Sequence, residues 1–274
     1  MSASTLSFRD FEHAGWNDER VCQKYDEHFG AVAQQSIEAL LDAAGVKKGT
    51  RVLDVCTGAG YAAGSAAARG ATATGIDFSE AQVRLARTRF PLVTFDVADG
   101  AALPFGAETF DSVVNSLGIP HFADPDAPIR EAFRVLIPGG RFAFTVYDVP
   151  ERAVGVGAIY RAAQAHGVVD ARLPNGPPFF LFSDPAECAG RVTAAGFKSV
   201  SVTTRPQMWR FDSLDDAIKA VLQGSVRAAA TLKAQPADAI AKIRAMIREI
   251  LEPYSHGAGY EVPMPVLLTS ALKT

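Results

Sequence analysis

An acidic residue beside a glycine-rich turn is the first feature of this chain that could do chemistry. Asp54 lies inside the short apolar run from Val52 to Val55, and the turn Gly58-Ala59-Gly60 follows it. Glycines let the backbone approach a ligand closely, and the start of the next helix presents unpaired N–H groups. A strand, a glycine turn and a helix in this order are typical of sites that bind a nucleotide-like cofactor.

The charge of Asp54 distinguishes between two classes of cofactor. A carboxylate repels a pyrophosphate but attracts an ammonium group, so Asp54 favours S-adenosylmethionine over NAD. The stretch Gly58-Ala59-Gly60-Tyr61-Ala62-Ala63 also satisfies the dinucleotide pattern G-x-G-x-x-G/A, so the glycines alone do not decide. A strand-end acid that merely caps the turn is the structural alternative for Asp54.

A second acid ends the next apolar segment. Asp77 stands 23 positions after Asp54 (77 − 54), where a carboxylate can accept hydrogen bonds from both hydroxyls of a ribose. NAD-binding proteins share this residue, so it indicates only an adenosine-type ligand. Capping the next helix is the alternative role, for which Ser79 is better placed.

A third acid, Asp99, follows the next predicted strand. It could accept a hydrogen bond from an adenine amino group, and Gly100 could offer its N–H to the ring. Asp96, three residues earlier, competes for this assignment. Either acid alone would be an ordinary loop residue.

The elements that must position these acids alternate between strands and helices. Such alternation predicts a doubly wound α/β fold with a parallel sheet. Ser79 and Asp126 are predicted N-caps, and Pro138-Gly139-Gly140 is predicted to be a sharp turn. The predicted strands are 51–56, 71–77, 92–97, 110–116, 140–147, 198–204 and 262–272, and the predicted helices of the core are 34–44, 61–69, 79–89, 126–136 and 184–195.

Composition narrows the class of partner. The formal net charge of -3, without a long Lys/Arg cluster, argues against nucleic acid, so a small molecule is the expected partner. We find no apolar run of membrane-spanning length and no secretion signal. Cys22, Cys56 and Cys188 lack paired spacing, which favours a reducing cytoplasm and predicts neither disulfides nor a zinc site.

Four stretches of the chain occur in the order of a known set of motifs: Val52–Gly60, Gly75–Ser79, Asp99–Phe105 with Glu108–Asp111, and Arg134–Gly140. With them the chain resembles the class I S-adenosylmethionine-dependent methyltransferases, nearest to the ubiquinone/menaquinone-biosynthesis-like (type 11) small-molecule group. The resemblance covers roughly residues 35 to 147 and returns at the last strand. It implies a mostly parallel, seven-stranded Rossmann-like sheet with helical lid insertions.

The resemblance also implies roles for particular residues. The methionine part would lie at Asp54 and the glycine turn, the ribose at Asp77, and the adenine between Phe78 and the Asp99 loop. A tyrosine of the N-terminal helix would close over the cofactor. The cofactor-binding residues expected on this basis are Tyr25, Asp54, Thr57, Gly58, Gly60, Asp77, Phe78, Gln82, Asp99, Gly100, Asn115, Ser116 and Leu117.

Two residues depart from the family pattern. Cys56 stands where glycine or alanine is usual, and we interpret it as a packing variant because nothing nearby in sequence would lower its pKa. Gln82 stands where an apolar residue, often methionine, contacts the adenine. This second departure concerns the adenine pocket and leaves the cofactor class unchanged.

Candidate residues on the acceptor side are less specific. His121 could act as a general base, although a structural or substrate-shaping role is favoured. Aromatic residues concentrate in the N-terminal and inserted segments, where they could wall an apolar pocket. The expected substrate-pocket residues are His13, Trp16, Tyr147, Tyr160, Phe179 and Trp209.

The expected organisation has one α/β core with insertions. Its parts are an N-terminal helical segment on the substrate side (1–50), the cofactor-binding core (51–149), an insertion (150–183), a core helix and strand (184–205), a helical cap (206–256) and the final core strand (257–274).

We therefore expect a cytoplasmic, metal-independent enzyme that methylates carbon, oxygen or nitrogen of a small, aromatic or apolar acceptor and releases S-adenosylhomocysteine. Two alternatives stay open. One is a protein of this fold that binds the cofactor without methylating. The other is an NAD(P)-dependent oxidoreductase, which explains neither Asp54 nor Asp99. Whether the protein is a monomer or a homodimer is also open.

Overall fold

A seven-stranded sheet carries the residues of the predicted cofactor site. The computed structural model describes residues 6–167 and 173–274, so part of the N-terminal segment and part of the 150–183 insertion lie outside the described residues. In chain order the described strands are β1 Arg51–Val55, β2 Thr72–Asp77, β3 Thr94–Val97, β4 Phe110–Ser116, β5 Leu136–Tyr147, β6 Lys198–Arg205, β7 Met208–Phe211, β8 Ser255–His256, β9 Gly259–Pro263 and β10 Val266–Leu272.

Helices separate most of these strands. In the described chain they are α1 Phe8–Trp16, α2 Glu19–Gln34, α3 Ile37–Ala43, α4 Tyr61–Ala68, α5 Glu80–Arg89, α6 Asp126–Val135, α7 Val154–His166, α8 Pro185–Ala194, α9 Leu214–Gly224, α10 Arg227–Lys233 and α11 Ala237–Leu251.

The described chain divides into two units. The core unit comprises residues 33–147, 177–205 and 266–274, and the second unit comprises residues 6–32, 148–167, 173–176 and 206–265. Within these residues no helix is both long enough and apolar enough to cross a membrane.

The sheet of the core unit has the order β3-β2-β1-β4-β5-β10-β6. Strands β1 to β5 pair in parallel, whereas β10 runs antiparallel to both β5 and β6. This arrangement confirms the predicted doubly wound, mostly parallel α/β sheet. The parallel strands all end at one edge, where ligands bind in open sheets of this kind.

Alternate residues of the central strands enter two apolar clusters. Leu53 of β1 and Val113 of β4 belong to one cluster, and Val52 and Val114 belong to the other. Burial on both faces explains why these strands are continuous apolar runs in the sequence. Asp54 is therefore a carboxylate in the interior of a buried strand, 1% exposed.

Some predicted boundaries were wrong in the core unit. Pro138-Gly139-Gly140 lies within β5 instead of preceding it, and it forms an irregularity there. The register with β4 shifts between the Phe110–Leu136 and Ser112–Arg141 pairs, where Gly139 has a φ of 83° and donates its N–H to the Lys273 carbonyl. Asp126 begins α6 but does not cap it, since Pro125 occupies the N-cap. Ser79 is confirmed as an N-cap, its hydroxyl accepting from the Gln82 N–H.

The second unit contains a small sheet that the sequence did not predict. Its order is β7-β9-β8, with antiparallel pairs. The predicted last strand, 262–272, is split between β9 in this sheet and β10 in the core. The interruption falls at Pro265, which has no N–H to donate to a sheet ladder.

Candidate functional site

Asp54 has one carboxylate oxygen that the protein satisfies and one that it does not. Its Oδ2 accepts from the Thr57 hydroxyl at 2.6 Å and from the Ala63 N–H at 3.0 Å. Its Oδ1 is buried and has no hydrogen-bond partner among the described residues. Burial raises the pKa of Asp54 to about 7. A cation at Oδ1 would compensate the buried charge and favour the ionised form.

Asp77 ties the glycine turn to the end of β2. One oxygen accepts from the Gly58 N–H at 3.0 Å and the other from the Ser79 N–H at 2.9 Å. Burial raises the pKa of Asp77, whereas these N–H donors and the nearby His121 oppose the rise. The charge of Asp77 also raises the pKa of Asp54, so the two acids disfavour each other's ionisation. A ligand with a positive charge and hydroxyl donors suits this pair.

The glycine turn leaves space beside the two acids. Gly58 has a φ of 52°, and a Cβ there would have no neighbour nearer than Gln82 Oε1 at 4.0 Å. Gly60 has a φ of 85°, and a Cβ there would lie 2.9 Å from the Phe95 ring. A side chain at position 60 would clash with Phe95, so glycine is required there. Gly58 instead borders open space that a ligand could fill.

Two residues at the ends of neighbouring strands adopt backbone conformations that favour glycine. Cys56 follows β1 with a φ of 58°, and Leu117 follows β4 with a φ of 63°. Such conformations cost free energy in residues with a side chain, and they cluster at functional sites. The left-handed conformation of Cys56 supplies a physical reason for glycine being the usual residue there. Burial and nearby acids raise the pKa of the Cys56 thiol, so it is not an activated nucleophile.

Asn115 fixes the end of β4 rather than offering a free carboxamide. Its Nδ2 donates to the Val55 carbonyl at 2.9 Å, and its Oδ1 accepts from the N–H groups of Gly118 and Ile119. The adjacent Ser116 hydroxyl is buried without a partner among the described residues. Ser116 therefore has hydrogen-bonding capacity to spare, whereas both ends of the Asn115 side chain are engaged.

The residues predicted to contact the adenine follow β2 and β3. Gln82 is buried in the first turn of α5 and Phe78 is half-buried. The Asp99 carboxylate accepts from the Ala101 N–H at 2.8 Å and so shapes its own loop. A Cβ on Gly100 would lie 2.7 Å from Val55 and 2.9 Å from Phe122, so close packing requires glycine at this position.

His121 closes a short 3₁₀ turn, Ile119–His121, after β4. Its ring meets the edge of Phe179, with the ring centroids 6.3 Å apart. The core unit thus brings His121 and Phe179 together, and the charge of His121 opposes the rise that burial causes in the pKa of Asp77. Tyr147, the last residue of β5, accepts at its carbonyl from the Ser183 hydroxyl.

Other predicted residues belong to the second unit, where three of them join one aromatic row. The centroid separations along this row are 5.3 Å for Trp16 and Tyr25, 5.7 Å for Tyr25 and Phe29, and 5.1 Å for Phe29 and Trp209. Burial raises the pKa of Tyr25 to about 12, so its phenol is protonated at neutral pH. Phe29 is a member that the sequence did not single out, because an apolar residue on a helix has no distinguishing signal.

The other two predicted residues of this unit lie on helices α1 and α7. His13 is exposed on α1, where its ring hydrogen-bonds with the Asn17 side chain. Tyr160 is half-buried on α7. The exposure of His13 gives no support to a place in an apolar pocket.

The comparisons with known proteins agree with the fold of the core unit. Residues 53–144 match the family model described as "Methyltransferase domain". Over these residues the chain is similar to methyltransferase domains, in agreement with the resemblance to class I S-adenosylmethionine-dependent methyltransferases and with S-adenosylmethionine as the cofactor.

Two curated relatives are particularly informative. The demethylmenaquinone methyltransferase of Renibacterium salmoninarum is 31% identical over 154 residues, which cover 55% of this chain and 65% of that protein. The ubiquinone/menaquinone biosynthesis C-methyltransferase of Geobacter sulfurreducens is 37% identical over 38% of this chain and 44% of that protein. The chain thus spans less than two thirds of the length of these relatives.

Solved structures show the same fold at low identity. The phosphoethanolamine N-methyltransferase 2 of Haemonchus contortus is 21% identical with a TM-score of 0.60, covering 98% of this chain and 60% of that one. The YcgJ protein of Bacillus subtilis is 20% identical with a TM-score of 0.57, covering 87% and 97%. The cyclase SpnF is 20% identical with a TM-score of 0.59, covering 98% and 97%.

Proposed function

We propose that this chain is an enzyme that transfers a methyl group from S-adenosylmethionine to a small-molecule acceptor. The observation that carries the proposal is the pair of buried acids, Asp54 and Asp77, on either side of an open glycine turn. The unpartnered Oδ1 of Asp54 suits an ammonium group, and Asp77 suits ribose hydroxyls. The methyltransferase-domain match over residues 53–144 supports the same cofactor.

Each end of the cofactor would have its own residues. Asp54, Thr57, Gly58 and Gly60 would hold the methionine part, where the buried Ser116 hydroxyl offers a further hydrogen bond. Phe78, Gln82, Asp99 and Gly100 would hold the adenine, as the resemblance implies. Tyr25 is proposed to close over the cofactor.

The chemistry needs little from catalytic side chains. When bound, S-adenosylmethionine supplies a methyl group attached to a positively charged sulfur. The chain has to align the acceptor and exclude water, and alignment alone is worth ~7–11 kcal/mol. His121 is proposed to shape the acceptor side, with proton removal as its alternative role.

The acceptor is proposed to be an aromatic or apolar molecule of the quinone type. The support is the similarity to relatives named demethylmenaquinone methyltransferase, together with the aromatic residues of the second unit. Whether carbon, oxygen or nitrogen is methylated stays open. Cytoplasmic location, independence from metal ions and the absence of nucleic-acid and membrane partners stay predictions.

Calorimetric titration of the ligand-stripped protein tests the cofactor assignment. We expect saturable binding of S-adenosylmethionine and none of NADH or NADPH. Asp77→Ala should weaken S-adenosylmethionine at least tenfold, because it removes a charged hydrogen-bond acceptor. Asp42→Ala is the control, since Asp42 is an exposed acid on α3 of the same unit, and it should change the affinity less than twofold.

Three outcomes would contradict parts of the proposal. Unchanged affinity in Asp77→Ala would refute the site, and binding of NADH or NADPH instead would favour an oxidoreductase. Cofactor binding without S-adenosylhomocysteine formation, after a screen of quinol, phenol and amine acceptors, would favour a protein that binds the cofactor without methylating.

A further inference from the structure

The second unit contains a buried polar side chain that its own structure leaves unsatisfied. Gln207 is 1% exposed, yet neither its Oε1 nor its Nε2 has a hydrogen-bond partner among the described residues. Burying an amide without partners is unfavourable, and proteins hydrogen-bond the large majority of such groups. A ligand that supplies the missing hydrogen bonds is a physical reason for retaining glutamine at this position.

The register of the small sheet shows which side of it Gln207 occupies. The Gln207 carbonyl accepts from the Met264 N–H at 2.8 Å, one step beyond the pairing of Met208 with Pro263. Burial alternates along both segments, with Gln207 and Trp209 buried on one and Val262 and Met264 on the other. These four side chains therefore share the buried face of the sheet.

Helix α7 approaches this face closely and with small side chains. A Cβ on Gly155 would lie 2.5 Å from Met264 Sδ and 2.9 Å from the Trp209 ring, so the helix can pack here only because residue 155 is glycine. The Val156 N–H lies 3.2 Å from Met264 Sδ. Methionine is an unbranched and adaptable apolar side chain, and Met264 is the residue paired with Gln207 across the small sheet.

The surroundings indicate what kind of ligand would fit. Trp209 packs against Phe29 in the aromatic row and donates its indole N–H to the His28 carbonyl at 3.1 Å. The His28 Nε2 is itself buried without a partner among the described residues. Two unsatisfied polar groups thus accompany one aromatic row, and a carboxamide can donate to one oxygen while accepting from another.

We propose that Gln207 is a specificity residue that binds a hydroxyl or carbonyl oxygen of a neutral aromatic molecule held by the second unit. The carboxamide carries no charge, so it satisfies a neutral oxygen without leaving a buried charge unpaired. His28 Nε2 is the second polar contact. Binding of this molecule by Gln207 does not depend on the proposed function. Only the identification of the molecule with the methyl acceptor rests on the proposed function.

A stability measurement without ligand tests whether Gln207 is unsatisfied. Gln207→Leu should raise the melting temperature by about 2–4 °C, because it removes an unpaired buried amide at nearly constant volume. Gln235→Leu is the matched control in the same unit, since Gln235 is also buried but donates from Nε2 to the Thr231 carbonyl at 2.8 Å. It should lower the melting temperature. A loss of stability in Gln207→Leu as large as the control's would overturn the inference.

Binding measurements then test recognition. The probes are 1-naphthol and 1-methylnaphthalene, which share a ring system and differ in the hydroxyl group. By calorimetric titration Gln207→Leu should weaken 1-naphthol about tenfold and leave 1-methylnaphthalene within twofold. Failure of the wild-type protein to bind 1-naphthol, or equal affinity of wild type and variant, would refute the proposed recognition.

The proposed function can fail independently of this inference. Titration of the same proteins with S-adenosylmethionine reports on the core unit alone. If Gln207→Leu loses 1-naphthol binding and keeps S-adenosylmethionine binding, the recognition role of Gln207 is supported. If the wild type binds 1-naphthol but not S-adenosylmethionine, methyl transfer is contradicted and the aromatic site is not.

Discussion

Gly118 gives Cys56 the space for its side chain. A Cβ on Gly118 would lie 2.5 Å from Cys56 Cβ and 2.7 Å from Asn115 Nδ2. The turns after β1 and β4 are thus packed against each other at the edge of the sheet where the predicted cofactor-binding residues lie. Asn115, which donates to the Val55 carbonyl and accepts from the Gly118 N–H, connects the same two turns.

Gly118→Ala should therefore destabilise the core unit by about 1–3 kcal/mol, the usual cost of overpacking. Combining it with Cys56→Gly should restore part of the loss, because one of the two clashes disappears. Urea denaturation of both single variants and the double variant measures this coupling. Gly190→Ala is the control, since a Cβ at that helical glycine meets no atom within 4 Å. Additive effects of Gly118→Ala and Cys56→Gly on the free energy of unfolding would contradict the close contact between these two positions.

The buried carboxylate of Asp54 should make stability depend on pH. Burial raises its pKa from 3.8 to about 7, so the folded protein binds more protons than the unfolded chain between these values. The free energy of unfolding should therefore fall as pH rises through this window. Asp54→Asn should flatten the decline and be the more stable protein at pH 8, by up to about 4 kcal/mol, the equivalent of a shift of about three pKa units.

The affinity for S-adenosylmethionine should depend on the same ionisation of Asp54, but it should rise with pH where the stability falls. An ammonium group at Oδ1 favours ionised Asp54, so S-adenosylmethionine affinity should rise with pH, approaching tenfold per unit below about 7. Asp54→Asn should bind more weakly and lose this dependence. Denaturation and calorimetry at pH 5 to 8 check both effects, with Asp42→Asn as the exposed control. Parallel curves for wild type and Asp54→Asn would show that Asp54 does not titrate in this range.

The sequence predicted the sheet and the order of its acids because both depend on local patterns. Buried parallel strands are continuous apolar runs, and Asp54 is conspicuous within one of them. The left-handed backbone of Leu117 has no such signal, since an ordinary residue takes it only when the folded structure imposes it. Gln207 and the small sheet were missed for a related reason, because short strands that are paired across distant segments resemble loops in the sequence.

His121 should prove to be a substrate-shaping residue rather than an essential base. Its ring packs against Phe179, and His121 lowers the pKa of Asp77 against the effect of burial. Loss of a general base costs about 10²–10⁴ in rate. For His121→Asn we expect less than a tenfold fall in kcat and a larger rise in the KM of the acceptor. Steady-state kinetics with a quinol acceptor checks this. A hundredfold fall in kcat in His121→Asn, together with the loss of a pH dependence of kcat that the wild type shows, would establish the base role instead.

A buried charge should make the first helix depend on α10 within the second unit. Glu12 is 1% exposed and accepts from the Trp16 indole N–H at 3.0 Å. Its other oxygen lies 3.8 Å from Arg227 Nε, and the Arg227 guanidinium lies over the Phe8 ring. Removing one partner of a buried ion pair leaves the other charge uncompensated.

Arg227→Met should accordingly cost about 3–5 kcal/mol and expose α1 to proteolysis. Adding Glu12→Gln removes the stranded charge and keeps an acceptor for Trp16, so the double variant should recover much of the loss. Lys233→Met, on the same helix, is the control for removing a cation. Urea denaturation followed by tryptophan fluorescence, together with limited proteolysis, measures these effects. A double variant as unstable as Arg227→Met would mean that Arg227 stabilises α1 through its stacking on Phe8 rather than through Glu12.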